Sequence, residues 1–118
     1  MQILSWNVQW CCGLDGLADP ARIVRHALAM GEGAGAGGID VLCLQEVAVG
    51  HGALAGAPGD QVRSCRRCCR AGSCFFAATT DGFDASGQRR SFGNLVASRL
   101  PVAEVAQHRL PWLAEVGW

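Results

Sequence analysis

The stretch that decides the fold is IDVLCLQE, residues 39–46, a nearly continuous apolar run that ends in two polar side chains. Such a run is typical of a β-strand that is buried on both faces. A similar segment, ILSWNVQ, occupies residues 3–9 and contains Asn7. An unpaired charge at the end of a buried strand is costly to desolvate, so Glu46 needs a partner, which a divalent cation would supply. The sequence therefore predicts a metal or phosphate site formed by Asn7 and Glu46.

Between these two strands the sequence predicts one helix. Asp19 can cap the free N–H groups of its first turn, and Pro20 fits the first helical position. Apolar residues then recur at helical spacing, at Ile23, Ala27 and Met30. We expect the helix to end by Gly31, and we expect the glycine-rich residues 31–38 to form a flexible connection.

Antiparallel strands are predicted for the remainder of the chain. Residues 48–59 are rich in Gly and Ala and indicate a loop. Residues 74–79 and 92–98 have strand character and predict a hairpin with a long polar loop. A last strand is predicted over residues 102–110. Strand, helix, strand and then antiparallel strands together predict an α/β fold.

Three motifs in this order resemble the endonuclease/exonuclease/phosphatase superfamily, the group that includes DNase I. LSWNVQW (residues 4–10) and IDVLCLQEV (39–47) resemble its two opening motifs, and FGNLVASRLPV (92–102) resembles its GNAILSRYPI strand and turn. The resemblance covers most of residues 1–112. It implies a DNase I-like four-layer α/β sandwich, of which residues 1–118 would form a partial domain. That N-terminal half would hold mostly antiparallel strands and a flanking helix.

The resemblance also implies roles for the site residues. Glu46 would bind Mg²⁺ or Mn²⁺, Asn7 would orient the phosphate or a metal-bound water, and Gln45 would support Glu46. The implied function is metal-assisted hydrolysis of a phosphate ester, with nucleic acid among the substrates that this superfamily handles. The alternatives are a solvated glutamate and a hydrogen-bonded asparagine without catalytic roles. Asp40 is expected to be structural, and the residues leave the role of Asn94 open.

The family's later motifs are an Asp-x-Asn pair, a Gly-Asp-x-Asn stretch and an Asp-His pair, and none occurs after Pro111. His26, His51 and His108 lie in no matching context, and we expect all three to be exposed to solvent. Family members use a histidine paired with an aspartate to manage the proton of the attacking water. We therefore expect little or no hydrolytic activity from this sequence alone.

Residues 62–74 form an aberrant segment that is rich in Cys and Arg. Thiolates of the Cys65–Cys74 cluster (Cys65, Cys68, Cys69 and Cys74) could bind zinc, so a small zinc-binding module or a non-enzymatic remnant is the alternative function. The resemblance implies a Leu-Leu-Pro-Gly type turn at this point. Codons for such a turn, CTG-CTG-CCG-GGC, give the Cys-Cys-Arg-Ala of residues 68–71 when they are read one base late, so we favour a shifted reading frame. The segment lacks an apolar stripe at helical spacing, so we expect no packed helix there.

The composition limits the partners and the location that can be expected for this protein. The chain is 50% hydrophobic and carries ten acidic and ten basic residues, so no global basic field attracts nucleic acid or membranes. No stretch approaches the roughly 20 apolar residues of a membrane span. Seven cysteines without a secretion signal predict a reducing, cytoplasmic location. The sequence indicates no defined protein partner.

Overall fold

The computed structural model describes residues 1–33, 37–56 and 59–109. The elements in chain order are β1 (Ile3–Asn7), a 3₁₀ turn (Gln9–Cys11), α1 (Pro20–Gly33), β2 (Val41–Val49), α2 (Gln61–Cys69), β3 (Ser73–Phe83) and β4 (Arg89–Ser98). The strands form one sheet in the order β1-β2-β4-β3. β1 runs parallel to β2, and the other neighbouring pairs are antiparallel. The predicted α/β class is confirmed.

Strand alternation gives this sheet two different faces. One face packs on both helices, and its centre is Leu44 of β2 beside Leu95 of β4, both fully buried. Val24 of α1 and Cys65 of α2 belong to the same core. The other face, which we call the helix-free face, carries the alternate side chains, among them Ser5, Asn7, Cys43, Gln45, Asn94 and Val96.

The start of α1 follows the sequence prediction. Oδ1 of Asp19 accepts a hydrogen bond from the backbone N–H of Arg22 at 2.9 Å, which caps the helix. Ile23 and Ala27 are buried as expected, whereas Met30 is 46% exposed and its prediction is wrong. The face that packs on the sheet is completed by Val24 instead.

The end of α1 was predicted too early, because the helix continues to Gly33. A Cβ atom at Gly31 would lie only 2.7 Å from Cγ1 of Ile39. Gly31 is thus required for the close approach of the helix to the next strand, and it does not end the helix. Residues 34–36 of the predicted flexible connection lie outside the described residues.

Helix α2 contradicts the expectation that residues 62–74 cannot pack. Asp60 caps it by accepting a hydrogen bond from the backbone N–H of Arg63 at 2.9 Å. Cys65 is fully buried, and Val62 and Cys69 pack against the same core. The prediction failed because cysteine behaves as a small apolar residue, so Val62, Cys65 and Cys69 do form a helical stripe. The shifted reading frame stays a hypothesis about the DNA, which a related nucleotide sequence would test.

The β3–β4 hairpin is longer than predicted. Most of the expected polar loop is strand, and the chain reverses at Asp84, whose Oδ1 accepts hydrogen bonds from the backbone N–H groups of Ser86 and Gln88. The second strand, β2, likewise runs on to Val49, so the predicted loop begins two residues late. Residues 57–58 of that loop lie outside the described residues.

The predicted last strand is wrong over residues 102–109, which have no regular secondary structure. Residues 100–107 instead border a groove of about 750 Å³ on the helix-free face, beside Phe75 and Val96. Val105 stays 55% exposed, because the segment follows this face without pairing to a strand. Leu110 lies outside the described residues. Within the described ranges, no helix is long and apolar enough to cross a membrane.

Asp40 has the structural role that was expected of it. Its Oδ2 accepts a hydrogen bond from the backbone N–H of Gln2 at 2.6 Å, and its Oδ1 accepts one from Nε of Arg99 at 2.8 Å. These two interactions lower the pKa of Asp40. The carboxylate joins the beginnings of β1 and β2 to the end of β4. It therefore lies at the opposite end of these strands from Asn7 and Glu46.

Candidate active site

Asn7 and Glu46 come together at one edge of the sheet. Nδ2 of Asn7 donates a hydrogen bond to Oε1 of Glu46 at 2.9 Å, across 39 residues of sequence. The parallel pairing of β1 with β2 brings this about, because Asn7 is the register partner of Gln45. The backbone N–H of Val8 extends the pairing by one bond to the carbonyl oxygen of Gln45 at 3.1 Å. The expected convergence of the two side chains is confirmed, and their catalytic role stays a prediction.

A β-bulge aims the Glu46 side chain. The register shifts between Leu44 and Val47, so that Gln45 and Glu46 together oppose the single residue Asn94 on β4. Glu46 itself has a left-handed backbone, with φ of 60°. A non-glycine residue in this conformation costs on the order of 1–3 kcal/mol, and bulges commonly re-aim a side chain next to a site. The strand thus turns Glu46 toward Asn7 and keeps Val47 in the core.

The backbone after Asn7 is also left-handed. Gln9, Trp10 and Cys11 have φ values of 44°, 58° and 56°. Oδ1 of Asn7 accepts a hydrogen bond from the backbone N–H of Gln9 at 3.1 Å, the pattern of an asparagine turn. Asn7 therefore uses one end of its amide to hold this turn and the other end to hold Glu46. Its contacts make it a positioning group for the carboxylate.

Gln61 is a residue that the sequence analysis missed. Its side chain is buried, at 1% exposure, and lies between the two segments that bear the site. Oε1 accepts a hydrogen bond from the backbone N–H of Ala48 at 3.0 Å, and Nε2 donates one to the carbonyl oxygen of Trp10 at 2.7 Å. The sequence signal is weak: Gln61 is a polar residue directly after the capping residue Asp60, a position that is ordinarily solvated.

Two other polar residues near the bulge, Gln45 and Asn94, make no hydrogen bond to the Glu46 carboxylate in the described part of the chain. Gln45 turns its amide to Oγ of Ser5 and to the carbonyl oxygen of Cys43, so the expected support of Glu46 by its side chain is wrong. Asn94 is exposed opposite the bulge. The sequence offered no register from which to place either side chain.

The histidines differ from one another. His26 and His108 are exposed, as expected. His51 is half-buried, and its Nε2 atom is buried without a hydrogen-bond partner in the described part of the chain, so the expectation of a solvated side chain is wrong for it. Gly50 precedes it with φ of 79° and leads the chain past the carbonyl oxygen of Arg89, where a Cβ atom would be only 1.9 Å away.

The donor set at this edge fits a hard cation in part. Glu46 is half-buried, and its Oε2 accepts no hydrogen bond from any residue that the structure describes. Mg²⁺ commonly keeps several waters and binds one or two protein carboxylates, so a single free carboxylate oxygen suits it. Over residues 1–33, 37–56 and 59–109, no three His, Cys, Asp or Glu side chains are grouped to hold a metal.

Within the described residues, the cysteines of α2 belong to no group of three or more side chains that could hold a metal ion. All seven cysteines are free thiols. A hydrogen bond with the thiol of Cys11 and burial raise the pKa of Cys65, and burial with neighbouring thiols raises the pKa of Cys69 to about 12. Burial also raises the pKa of Cys74 despite its contact with Arg66. Desolvation therefore outweighs the nearby charge of Arg66 at this thiol.

Comparisons with known proteins agree with this fold. A model of the Endonuclease/Exonuclease/phosphatase family matches residues 4–114. Among solved structures, the chain is similar to an endonuclease/exonuclease/phosphatase from Beutenbergia cavernae, with a TM-score of 0.63 and 25% sequence identity. The similarity covers 87% of this chain and 27% of that chain, so the sequence spans about a quarter of its neighbour's length. No curated protein matches the sequence.

Proposed function

Because the chain belongs to the endonuclease/exonuclease/phosphatase family, we propose that it supplies the Asn7–Glu46 part of a metal-dependent phosphoesterase site. The observation that carries the proposal is the 2.9 Å hydrogen bond between these two side chains at the ends of parallel strands. It explains why a carboxylate stands on a strained bulge, where a purely structural residue would need no such backbone.

Each residue then has a defined task. Glu46 would hold Mg²⁺ or Mn²⁺ through its free oxygen, and Asn7 would fix the carboxylate by its N–H group. When bound, the cation would offset charge that develops on the phosphate oxygens. Gln61, on α2, would hold the segment after Asn7 and the segment after Glu46 in place through its hydrogen bonds to Trp10 and Ala48. The substrate would be a phosphate ester, and the choice between nucleic acid and a smaller ester depends on groups around this edge.

The proposal includes low activity for these 118 residues alone. The described residues provide one carboxylate at the site, and the family's acid–base histidine and its aspartate have no counterpart after Pro111. Loss of one such group typically costs about 10²–10⁴-fold in rate. Several absent together would reduce turnover to near the uncatalysed level.

Mn²⁺ binding and cleavage together test the proposal. We expect the chain to bind Mn²⁺, as measured by electron paramagnetic resonance. The substitution Glu46→Gln should abolish this binding. Glu32→Gln is the matched control, because Glu32 is exposed in α1 and lines the cleft beside Asp40, at the other end of the strands. Plasmid DNA and a chromogenic phosphodiester should be cleaved slowly or not at all. Equal Mn²⁺ binding by the parent and Glu46→Gln would remove the metal role, and turnover at ordinary enzyme rates would refute the low activity. A chain that neither binds metal nor cleaves would leave the remnant as the explanation.

A further inference from the structure

An aromatic cluster lies next to the Asn7–Glu46 pair and has no part in the proposed chemistry. The ring of Phe92 is 4.1 Å from the ring of His51 and 5.8 Å from the ring of Trp10, measured between centroids. The planes are tilted by 34° and 43°; Phe92 and His51 are half-buried, whereas Trp10 is 42% exposed. We call Trp10, His51 and Phe92 the aromatic shelf.

The shelf and the carboxylate are on the same side of the sheet. Phe92 is paired with Ala48, and Ala48 alternates with the core residue Val47, so Phe92 points away from the helices. Asn7 points to that helix-free face as well. Ala48 follows Glu46 by two residues, which corresponds to roughly 7 Å along a strand. A group bound on the shelf would therefore neighbour a phosphate held at Glu46.

The backbone of Trp10 is strained where it presents the indole ring at the surface. Trp10 is 42% exposed although it has φ of 58°, a conformation that a bulky residue rarely adopts. Its carbonyl oxygen accepts a hydrogen bond from Nε2 of Gln61 at 2.7 Å, so the backbone that carries the indole is anchored. An exposed tryptophan on an anchored backbone is suited to stacking, since little backbone freedom is left to lose on binding.

The chemistry of the shelf favours a flat, uncharged ring. Burial, and then the nearby charge of Arg90, lower the pKa of His51, which favours its neutral imidazole. Trp10 is the most exposed of the three rings, and its π face is available to a planar partner. The whole chain has no net charge, so attraction of the phosphate backbone alone would give little affinity for a nucleic acid. Stacking of a base on the aromatic shelf would supply the additional affinity. Only an unpaired base has a free face for such stacking.

We propose that the aromatic shelf binds an unpaired base of a single-stranded nucleic acid next to the phosphate held at Glu46. The inference rests on the proposed phosphoesterase function, and it specifies the substrate class of that site. Base–aromatic stacking of this kind is worth about 5–150-fold in affinity per base. It tolerates all four bases, because every base has a π face.

Fluorescence anisotropy tests the shelf with a labelled thymidine oligonucleotide and an abasic oligonucleotide of equal length, both in EDTA so that no cleavage occurs. We expect the thymidine strand to bind at least about 5-fold more tightly. Trp10→Ala combined with Phe92→Ala should reduce its affinity to the abasic level and leave the abasic strand unchanged. Phe83→Ala is the matched control, since Phe83 is 76% exposed in the hairpin, away from the site.

Trp10→Phe guards against a variant that fails to fold, because it keeps a planar ring and should retain most of the preference for thymidine. Equal affinity for the two strands, including no binding of either, would overturn the proposal, as would an equal loss in Phe83→Ala. The parallel Mn²⁺ titration separates the two proposals. Intact Mn²⁺ binding without a base preference removes only the shelf, and a base preference without Mn²⁺ binding removes only the phosphoesterase function.

Discussion

The side chain of Gln61 ties Trp10 to Ala48, donating to the carbonyl oxygen of the first at 2.7 Å and accepting from the N–H of the second at 3.0 Å. Trp10 follows Asn7 by three residues, and Ala48 follows Glu46 by two. One buried amide therefore holds the segment that follows Asn7 and the segment that follows Glu46 against α2.

Replacing this amide should destabilise the fold strongly. Gln61→Leu keeps the volume but leaves the buried N–H group of Ala48 and the part-buried carbonyl oxygen of Trp10 without their partner; the first loss costs about 1–3 kcal/mol, and the second costs somewhat less. We expect the free energy of unfolding in urea to fall by about 2–5 kcal/mol. Gln88→Leu, at an exposed turn, should change it little. A similar small effect for both variants would show that the two hydrogen bonds contribute nothing.

Asn7→Ala should weaken metal binding without unfolding the protein. The asparagine is exposed, so its loss removes the hydrogen bond that orients Glu46 and little packing. Groups that orient a ligand typically contribute about 10–100-fold to metal affinity. We expect a decrease of that size in Mn²⁺ affinity by titration, with Gln88→Ala unchanged. Unaltered affinity in Asn7→Ala would mean that Glu46 needs no orienting partner.

The thiols of α2 should resist modification in the folded protein. A pKa of about 12 leaves roughly one Cys69 thiol in ten thousand ionised at pH 8, and burial blocks access besides. We expect Cys65 and Cys69 to react with a disulfide reagent at pH 8 only after unfolding in guanidinium. Half-exposed Cys12 provides an internal comparison by peptide mass spectrometry. Rapid labelling of Cys69 in the native protein would contradict its position in the core.

Acid should weaken the hairpin through Asp84. The Ser86 hydroxyl, followed by the backbone N–H of Gln88, lowers the pKa of Asp84 from 3.8 to about 2. Because the folded pKa is below the unfolded one, this contribution to stability is complete above pH 3.8 and is lost as the pH falls to about 2. We expect Asp84→Asn to flatten this part of the pH dependence of the urea midpoint. Asp15, whose pKa is also about 2, should leave a residual slope, and identical curves would refute the role of Asp84.

Much of the fold could be predicted from apolar patterning. The runs around Leu4 and Leu44 gave two strands correctly, and the Asp19–Pro20 pair gave the start of α1. These signals are local, so they need no knowledge of the tertiary contacts. Helix α2 was missed because its apolar stripe is made largely of cysteine, whose burial depends on the surface it meets.

The candidate site was predictable only in its two end points. Asn7 and Glu46 stand out as polar residues in apolar strands, and parallel pairing then brings them together. Gln61, His51 and Trp10 were not predictable as partners, because a bulge, a left-handed turn and a helix cap place them. Each of these features depends on register, which the sequence does not specify residue by residue.

The pairing of β1 with β2 has a consequence for the order of folding. The β3–β4 hairpin is closed by a turn of a few residues, whereas Trp6 and Leu44, which pair in the sheet, are 38 residues apart in the sequence. Hairpins form in about 1–10 μs, and contacts that close long loops come later because of their entropy. We therefore expect Asn7 and Glu46 to meet among the last events of folding, after β2 has a partner in β4. During synthesis, β1 must wait until the strand that completes its site has left the ribosome.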